Sequence, residues 1–570
     1  MPLATSPRPP EPRATRPATA LLVLLLGLCA IRAGGDVVVF GSTPGGVAAA
    51  VAAARSGAAG VVLADPSPRV GGMCSGGLGN TDVGLSYAIG GVAADFFRAV
   101  GAAYGRPANE SVFAFEPHVA EQAFLSMLAA AGVRRVRCGA AVARVERNAT
   151  SAAITSFATD DGQTFGAAGD VFVDATYEGE LMRAAGASST FGREAAAQYG
   201  ESWGGRREPF QSGFDWPQID PLDDEGSILP LLTTRLSAPL GSADARVQGY
   251  NFRLCMTQNA SNRLPFPAPA AYNASTWELL RRLAKITDAD FRAFVGAAPL
   301  PHGKFDVNNG AFLSTDATGL DWGWPTASPA QRTALAAELK EYTLGFLHTL
   351  LTDPALPAAL RASAATWGLC ADEFAANGGW PEQVYVREAS RLVGDRVFVQ
   401  GDAWPPTDFG TSSIGMGSYA ADGHYSTRGP CIKETPRGIG EIGGCAMATT
   451  EADLQAARAN GTLFAGGEGY VGATNEFALY QIPYFVLLPR RAELTNLLCP
   501  LTPSASHVTF ASLRVEPQFM VMGHAAGAAA ALAARGGLAV QDVPPAALHA
   551  LLVAQGAVLC KEGAPQCDKV

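Results

Sequence analysis

A cluster of glycines near the start of the chain has the spacing of a phosphate-binding turn. Gly41, Gly45 and Gly46 lie between an apolar run at residues 37–40 and an alanine-rich run at residues 46–56. Such a turn presents backbone amides at the N-terminus of a helix, where a dinucleotide pyrophosphate binds. Asp65, nineteen positions after Gly46, matches the acid that binds the adenosine ribose. The stretch predicts dinucleotide binding; the alternative is an alanine-rich βαβ unit without a ligand.

Thr43 stands where the usual G-x-G-x-x-G pattern has its second glycine. Its side chain narrows the approach to the phosphates, although its hydroxyl group can donate a hydrogen bond to them. Thr43 and the adjoining Pro44 are therefore expected to form part of the phosphate-binding turn.

Two residues near the other end of the chain have side chains suited to proton transfer or substrate binding. His507 follows a small polar run at residues 504–506, and an imidazole titrates in the range useful for acid–base work. Arg514 has the charge to hold an anion or a carbonyl group. The alternatives are a histidine that bonds nearby backbone and an arginine paired internally with Glu516 or Glu178.

The middle of the chain contains three weaker candidates: Arg253, Arg387 and His424. Arg387 is expected rather to form a surface helix pair with Glu388. The chain has no H-E-x-x-H motif, no metal-type C-x-x-C spacing and no serine–histidine–aspartate pattern with a nucleophile elbow. No metal site is therefore predicted.

The sequence on either side of the glycine turn predicts the strands and the helix that hold the turn in place. Apolar, β-branched runs at residues 37–40 and 61–64 predict buried parallel strands on either side of a helix at 46–56. Much later in the chain, the sequence predicts another buried strand at residues 494–500 and a glycine- and alanine-rich helix at 520–534, which resemble the first strand and helix. The predicted fold class is α/β, a Rossmann-type domain with a parallel sheet, interrupted by an inserted domain.

From about residue 189 the composition changes: proline and tryptophan become frequent, and strand-like apolar runs become rare. All eight tryptophans lie between Trp203 and Trp404, and we interpret this segment as a mostly helical substrate or lid domain. Helices are predicted at residues 329–350, 357–367 and 381–392. The predicted order is a signal peptide at 1–34, the first part of the cofactor domain at 35–195, the inserted domain at 196–455, the closing part at 456–540 and a C-terminal tail at 541–570.

The first 34 residues predict export from the cytosol. Arginines precede a twelve-residue apolar run at residues 20–31, and small residues follow near Ala33, as is typical of a secretory signal peptide. A signal anchor or an organellar presequence is the alternative. No other run is long and apolar enough for a stable membrane span in the mature chain.

The net charge of the chain argues against one class of partner, and its cysteines and sequons bear on the cellular compartment. The formal charge is −10, and removal of residues 1–33 (four arginines and one glutamate) makes it 38 − 51 = −13, which argues against nucleic acid as a partner. In an exported chain we expect local disulfides between Cys560 and Cys567 and between Cys431 and Cys445. Five N-x-S/T sequons, which suit a secreted glycoprotein, begin at Asn109, Asn148, Asn259, Asn273 and Asn460.

The run GGMCSGGLGNTD at residues 71–82 resembles the GGM-x-SGGLG-x-TD signature of a family of FAD-dependent oxidoreductases. Similar stretches follow in order at residues 171–186, 249–257, 342–347, 377–395, 482–489 and 504–527. The resemblance implies an FAD-dependent oxidoreductase that acts on a small-molecule or glycan-type substrate by hydride transfer. The alternatives are a flavin-containing lyase or hydrolase without net redox change and a non-enzymatic FAD-binding protein.

The resemblance also implies which residues contact the cofactor. Asp65 replaces the more frequent glutamate on the ribose, and Cys74 is expected to be a small buried thiol rather than a covalent flavin link. The closing strand is expected at residues 496–500 rather than 463–468, because the glycine- and alanine-rich helix follows it. The implied contacts are Gly41, Thr43, Pro44, Gly45, Gly46, Asp65, Arg69, Gly71, Gly72, Met73, Val142, Ala175 and Gly523, with His507 and Arg514 as the catalytic candidates.

A reporter fused to residues 1–40 is expected to enter the secretory pathway, because the leader has the charge and apolar length of a signal peptide. Localisation by microscopy and protection from protease in microsomes measure the outcome. A reporter fused to residues 35–74 is the matched control and should remain in the cytosol. A uniform cytosolic signal from the 1–40 fusion contradicts export.

Overall fold

A parallel sheet at the base of the glycine turn organises both ends of the chain. The computed structural model describes residues 35–207, 219–233, 239–310, 312–433, 445–447, 450–472 and 479–560, with 433 and 445–447 by backbone alone. The first part contains strands β1 (Val37–Phe40), β2 (Val61–Asp65), β3 (Arg134–Arg137), β4 (Val142–Asn148), β5 (Ala153–Thr159), β6 (Thr164–Phe165), β7 (Val171–Asp174) and β8 (Ser189–Thr190). Its helices are α1 (Pro44–Arg55), α2 (Gly72–Ser75), α3 (Gly91–Ala103), α4 (Pro117–Ala130) and α5 (Glu180–Ala184).

The middle and closing parts of the chain contain the remaining elements. The strands are β9 (Leu254–Thr257), β10 (Arg263–Leu264), β11 (Ala297–Leu300), β12 (Lys304–Val307), β13 (Gly368–Cys370), β14 (Arg391–Leu392), β15 (Ser413–Gly417), β16 (Asp422–Gly423), β17 (Thr427–Lys433), β18 (Cys445–Met447), β19 (Leu463–Glu468), β20 (Val471–Gly472), β21 (Tyr480–Pro483) and β22 (Leu497–Leu498). The helices are α6 (Ala196–Tyr199), α7 (Glu278–Ile286), α8 (Phe291–Val295), α9 (Pro329–Thr352), α10 (Ala358–Ala364), α11 (Gln400–Ala403), α12 (Glu451–Ala459), α13 (His507–Leu513), α14 (Glu516–Gly536) and α15 (Pro545–Ala554).

The parallel sheet has the order β22–β7–β1–β2–β3. Val37 of β1 lies opposite Val61 of β2 and Val171 of β7, so the most apolar strand is at the centre. β22 pairs with β7, although more than 300 residues separate them. This pairing confirms the Rossmann-type α/β prediction, and it confirms the closing strand, because β19 pairs with β17 in a separate sheet instead.

Two helices distant in sequence, α1 and α14, lie against each other beside this sheet. A Cβ atom on Gly523 would lie 2.0 Å from the carbonyl oxygen of Gly45, and one on Gly527 would lie 2.0 Å from that of Ala49. Only glycine permits this approach. The small residues of both helices therefore fix the distance between the glycine turn and the C-terminal part of the chain.

The middle of the chain contains, besides helices, a five-stranded antiparallel sheet of order β10–β13–β9–β12–β11. Its strands have two to four residues, too few to produce a recognisable alternation in sequence. Buried apolar residues of this segment, such as Phe252 and Leu254, belong to the same core cluster as Val37 and Met520. The domain boundaries at residues 195, 455 and 540 stay predictions.

The helix predicted at residues 381–392 is wrong. Residues 381–390 contain no helix and form only an isolated bridge between Tyr385 and Asn251; β14 follows and pairs with β8. Arg387 and Glu388 are each only 1% exposed, so the surface helix pair expected from them is also wrong. Buried charged groups need partners from elsewhere in the chain, and those long-range partners outweigh the helical pattern here.

Cysteines and sequons have the following positions. Cys431 and Cys560 are disulfide-bonded; the predicted partners Cys445 and Cys567 lie outside the residues whose side chains are described. Cys74 is a buried free thiol, as expected. The five sequon asparagines are all exposed.

Within the described ranges, no helix combines the length and the apolar character needed to cross a membrane.

Replacing Gly527 by alanine is expected to lower the free energy of unfolding by about 2 kcal/mol, because the new methyl group forces α14 away from α1. Gly536→Ala is the matched control: it is an exposed glycine of the same helix, and its Cβ would meet only the flexible side chain of Leu538. The control should be neutral or slightly stabilising. Urea unfolding of both variants measures the difference, and equal stability would contradict the packing argument.

Candidate functional site

An open cleft of about 320 Å³ lies at the carboxyl ends of the parallel strands. Parallel sheets of this kind bind ligands at that edge. The lining residues include the turns that follow β1, β2 and β7, together with Ala140 after β3, and the opposite wall comes from the inserted segment. The residues from the turns are Gly41, Thr43, Pro66, Ser67, Pro68, Thr176, Tyr177 and Glu178; those opposite include Trp324, Arg332, Glu382, Gln383, Val384 and Val386.

Thr43 caps the first helix of the glycine turn. Its hydroxyl accepts a hydrogen bond from the Gly46 amide at 3.1 Å and donates one to the Ala175 carbonyl at 2.8 Å. The hydroxyl therefore ties the turn after β1 to the turn after β7, and this explains a threonine at a position that usually holds glycine. Gly41 has φ of +105°, and a Cβ there would lie 2.5 Å from the Ala175 carbonyl oxygen, so only glycine suits this turn.

Asp65 ends β2 beside the cleft and is completely buried. Its carboxylate accepts hydrogen bonds from the Ser42 hydroxyl at 2.5 Å and from the Ser67 amide at 3.0 Å, and it pairs with Arg135 at 2.6 Å. These contacts fix the side chain beside the turn after β2, and a ribose contact of Asp65 stays a prediction. A ribose hydroxyl at this place would share the carboxylate with Arg135.

The segment that carries Gly71, Gly72 and Met73 is held against the turn after β7. The Met73 amide donates a hydrogen bond to the Tyr177 hydroxyl at 3.0 Å. Gly72 has φ of +48°, and a Cβ there would lie 2.7 Å from the same hydroxyl. Arg69 instead pairs with Glu121 at 2.8 Å and with Glu382 at 3.1 Å, so its guanidinium joins α4 to the inserted segment.

Three predicted cofactor residues lie around this cleft in different roles. Ala175 is buried and supplies the carbonyl that receives Thr43. Val142 begins β4, two residues after the cleft-lining Ala140. Gly523 contacts Gly45 rather than the cleft and acts by allowing α14 to approach. The cleft has the glycine turn after β1 at one side and Asp65 close by at the end of β2, an arrangement that fits a dinucleotide.

His507 is the first residue of α13 and only 1% exposed. Its Nδ1 lies 2.9 and 3.0 Å from the two carboxylate oxygens of Glu388, while its Nε2 is buried without a hydrogen-bond partner. Its amide donates to Glu194 at 2.9 Å. The imidazole is therefore oriented by a carboxylate at Nδ1, while Nε2 is buried and has no hydrogen-bond partner, so the alternative of bonding nearby backbone is wrong.

Arg514 follows α13 and is 3% exposed. Its guanidinium pairs with the carboxylate of Asp422 at 2.8 Å and donates to the Tyr385 hydroxyl at 3.1 Å. Internal pairing is therefore correct, with a partner that the sequence did not indicate. Burial opposes ionisation of Asp422, but His424 and Arg514 outweigh it and hold the pKa of this carboxyl below its usual range.

The three weaker candidates of the middle segment converge on the same region. Arg253 pairs with Asp306 through Nε at 3.0 Å, and Arg387 pairs with Asp316 at 2.9 Å. Both guanidinium groups lie over the ring of Tyr385, at 5.4 and 4.7 Å. The Nδ1 atom of His424 lies 2.7 Å from a carboxylate oxygen of Asp316, within hydrogen-bond distance. Such a concentration of buried charge outside a plain ion pair is typical of a functional site.

Glu516, the first residue of α14, is a further candidate that the sequence analysis treated only as a partner for Arg514. It is 2% exposed; one carboxylate oxygen accepts from the Tyr177 hydroxyl at 2.8 Å and the other has no partner. Burial raises the pKa of Glu516 to about 8. The signal that could have indicated it was an acidic residue two positions after Arg514, within the family-like stretch at residues 504–527.

A second polar cluster lies apart from the cleft and includes a possible set of metal ligands, Glu116, His118 and Glu373. The buried ammonium group of Lys304 lies 2.6 Å from Glu116 and 2.9 Å from Glu373. This ammonium already neutralises the carboxylates, so the cluster acts as a link between α4, β12 and the segment after β13.

A family model described as FAD dependent oxidoreductase matches residues 36–552, which is most of the chain. The chain therefore belongs to this family. As a member of a family of FAD-dependent oxidoreductases, the protein has FAD as its cofactor. The predicted family is confirmed.

Solved structures match parts of the chain at low identity. CabE, an aromatic hydroxylase from angucycline biosynthesis, is 16% identical and is matched over 28% of this chain and 35% of its own, with a TM-score of 0.20. OxyS anhydrotetracycline hydroxylase from Streptomyces rimosus is 15% identical and is matched over 28% of this chain and 35% of its own, with a TM-score of 0.19. THI4 from Thermovibrio ammonificans is 17% identical and is matched over 28% of this chain and 64% of its own, with a TM-score of 0.20. The chain thus spans less than two thirds of each, and a comparison with curated proteins found no match.

Replacing Glu516 by glutamine is expected to stabilise the flavin-free protein more at pH 8 than at pH 5. In the unfolded chain Glu516 ionises near pH 4.5, whereas in the folded chain its pKa is about 8. The folded state therefore holds the extra proton between these values, so its stability falls as pH rises through this window. The gain from Glu516→Gln should approach about 3 kcal/mol by pH 8.

Chemical denaturation at pH 5, 6.5 and 8 measures this effect. Glu225→Gln, which changes an exposed glutamate, is the matched control and should alter stability equally little at all three values. A Glu516→Gln gain that does not grow with pH would contradict a neutral, buried carboxyl.

Proposed function

We propose that this protein oxidises a C–H bond of a small-molecule or glycan-type substrate that bears a hydroxyl or amino group beside that bond. The observation that carries the proposal is the buried His507–Glu388 pair, whose Nε2 has no partner within the described residues. Flavin oxidation of such a substrate needs a base for the companion proton. His507 is placed to supply that base.

When bound, FAD would supply the two-electron oxidant for this reaction. The hydroxyl or amino proton passes to Nε2 of His507, and the substrate leaves as a carbonyl compound or imine. The residues that would hold FAD are those of the glycine turn, Asp65, the Gly71–Met73 stretch and the turn at Ala175, since all of them surround the cleft or join its walls.

Glu388 orients the imidazole and stabilises the positive charge that forms on it. Its carboxylate receives Nδ1–H, which leaves Nε2 as the proton acceptor. Arg391 pairs with the same carboxylate and also with Glu194 at 2.6 Å. This chain of buried charges keeps Glu388 ionised and limits its movement.

Arg514 is the second residue in this proposal. It lies at the end of the same short helix as His507, and Asp422 and Tyr385 fix its guanidinium. A cation in this position can hold an electronegative group of the substrate while the proton leaves. Because both side chains are almost fully buried, bulk water is excluded from their surroundings.

We also propose that the reaction occurs in the secretory pathway or outside the cell. The exposure of all five sequon asparagines and the disulfide-bonded state of Cys431 and Cys560 support this compartment. The leader at residues 1–34 supplies the route.

The variant His507→Gln is expected to slow flavin reduction by about a hundredfold or more, because the proton has no acceptor of sufficient basicity. FAD should remain bound, since His507 is held by Glu388 and not by the cleft turns. Stopped-flow absorbance under anaerobic conditions measures the rate with the best substrate from a screen of sugars, amines and hydroxy acids. His348→Gln, on α9, is the matched control.

Glu388→Gln separates orientation from proton transfer. It should reduce the rate less than His507→Gln, because the imidazole keeps its proton-accepting nitrogen and loses only the carboxylate that orients it. A His507→Gln rate equal to that of the unmodified protein, with FAD bound, would remove the base from this role.

A further inference from the structure

A small polar cavity of about 90 Å³ lies beside Asp422, the partner of Arg514. Its volume corresponds to a few ordered water molecules, so it can take one end of a substrate. The lining residues are Asn309, Phe312, Ser314, Asp316, Thr318, Asp422, His424, Tyr425, Arg428 and Tyr470.

His424 lies between the two carboxylates of the cavity. Its Nδ1 is 2.7 Å from Asp316, and its Nε2 is 3.7 Å from Asp422. Behind these carboxylates, Arg387 pairs with Asp316 and Arg514 pairs with Asp422. The carboxylates are thus kept ionised and available as hydrogen-bond acceptors at the cavity wall.

The formal charges of this buried cluster cancel. Arg253 pairs with Asp306, Arg387 with Asp316 and Arg514 with Asp422. A ligand with a net charge would have to lose its hydration without a counter-charge of its own. A neutral ligand does not have that cost.

The cavity offers both donors and acceptors in close succession. Arg428 is 3% exposed, and its Nε has no hydrogen-bond partner. Asn309, Ser314 and Thr318 add an amide and two hydroxyl groups to the wall. A hydroxyl group on a ligand both donates and accepts, so a ligand rich in hydroxyl groups matches this mixed wall.

Aromatic rings complete the wall. The rings of Phe312 and Tyr425 have centroids 6.3 Å apart, and those of Tyr425 and Tyr470 have centroids 6.2 Å apart. Flat aromatic surfaces of this kind pack against the C–H face of a saturated ring.

We propose that this cavity binds one end of a neutral polyhydroxylated substrate, a sugar ring or a comparable polyol, and so selects carbohydrates for the oxidation. The proposal rests on the proposed function for the fate of the substrate, but binding at the cavity does not depend on it. Gln248 connects the two places, because its Nε2 donates to Glu388 at 3.1 Å and its Oε1 accepts from the His424 amide at 3.0 Å.

The FAD-loaded protein is the material for the test, with glucose, galactose and cellobiose as neutral probes. Glucuronate and glucosamine are the charged relatives, and cyclohexanol is the ring without further hydroxyl groups. Binding is measured as a shift in melting temperature and as a perturbation of the flavin absorbance, and reduction is measured as anaerobic bleaching. At least one neutral sugar should bind more tightly than its charged relatives and cyclohexanol.

Three variants assign the binding to the cavity. Tyr470→Ala and Asn309→Leu should each weaken sugar binding about tenfold, through loss of the ring and of the amide. Tyr470→Phe keeps the ring and should bind within about threefold of the unmodified protein. Tyr87→Ala, which removes a tyrosine that is 63% exposed elsewhere, is the control for general destabilisation.

The outcomes separate the cavity from the reaction. Sugar binding that the cavity variants weaken, without any bleaching, supports the carbohydrate site and contradicts the proposed hydride transfer. Bleaching by amines or hydroxy acids alone, or tighter binding of glucuronate than of glucose, overturns the carbohydrate site and leaves the oxidoreductase proposal intact. Equal binding by the unmodified protein and both cavity variants also overturns it.

Discussion

The close approach of α1 and α14 is the constraint on which the rest of the molecule depends. Gly523 and Gly527 let α14 lie directly on the backbone of α1. The glycine turn at the start of α1 and the helix α14 therefore form one closely packed unit. The start of α14 then brings Glu516 to Tyr177, and Tyr177 in turn holds the Met73 amide. Three stretches from different parts of the chain thereby meet at the cofactor cleft.

Buried charge organises the region next to the cleft in the same way that glycine packing organises the cleft itself. Arginine side chains there are paired with carboxylates from other parts of the chain, as Arg514 is with Asp422 and Arg387 is with Asp316. Isolated, these groups would be too costly to bury. Removing one partner should therefore disturb the position of several others, and function and stability are coupled in this region.

Sequence patterns predicted the elements that are long or strongly periodic and failed where tertiary contacts decide. The strands at 37–40 and 61–65 and the long helices at 329–352 and 516–536 follow from apolar runs, proline and glycine positions. The non-helical segment at 381–390 was missed because its charged residues are bound by distant parts of the chain: Arg387 pairs with Asp316, and Glu388 contacts His507. His507 and Arg514 were predicted from residue type, whereas Glu388 and Asp422 could not be, since only the fold brings them together.

The pairing of β22 with β7 has a consequence for the order of folding. The central strands are made early, but the strand that completes one edge of their sheet, and the helix that covers α1, are synthesised more than 300 residues later. Contacts between such distant parts of a chain form slowly. During synthesis the alanine-rich face of α1 must therefore wait uncovered until almost the whole polypeptide has emerged, and this interval is when the chain most needs the help of chaperones.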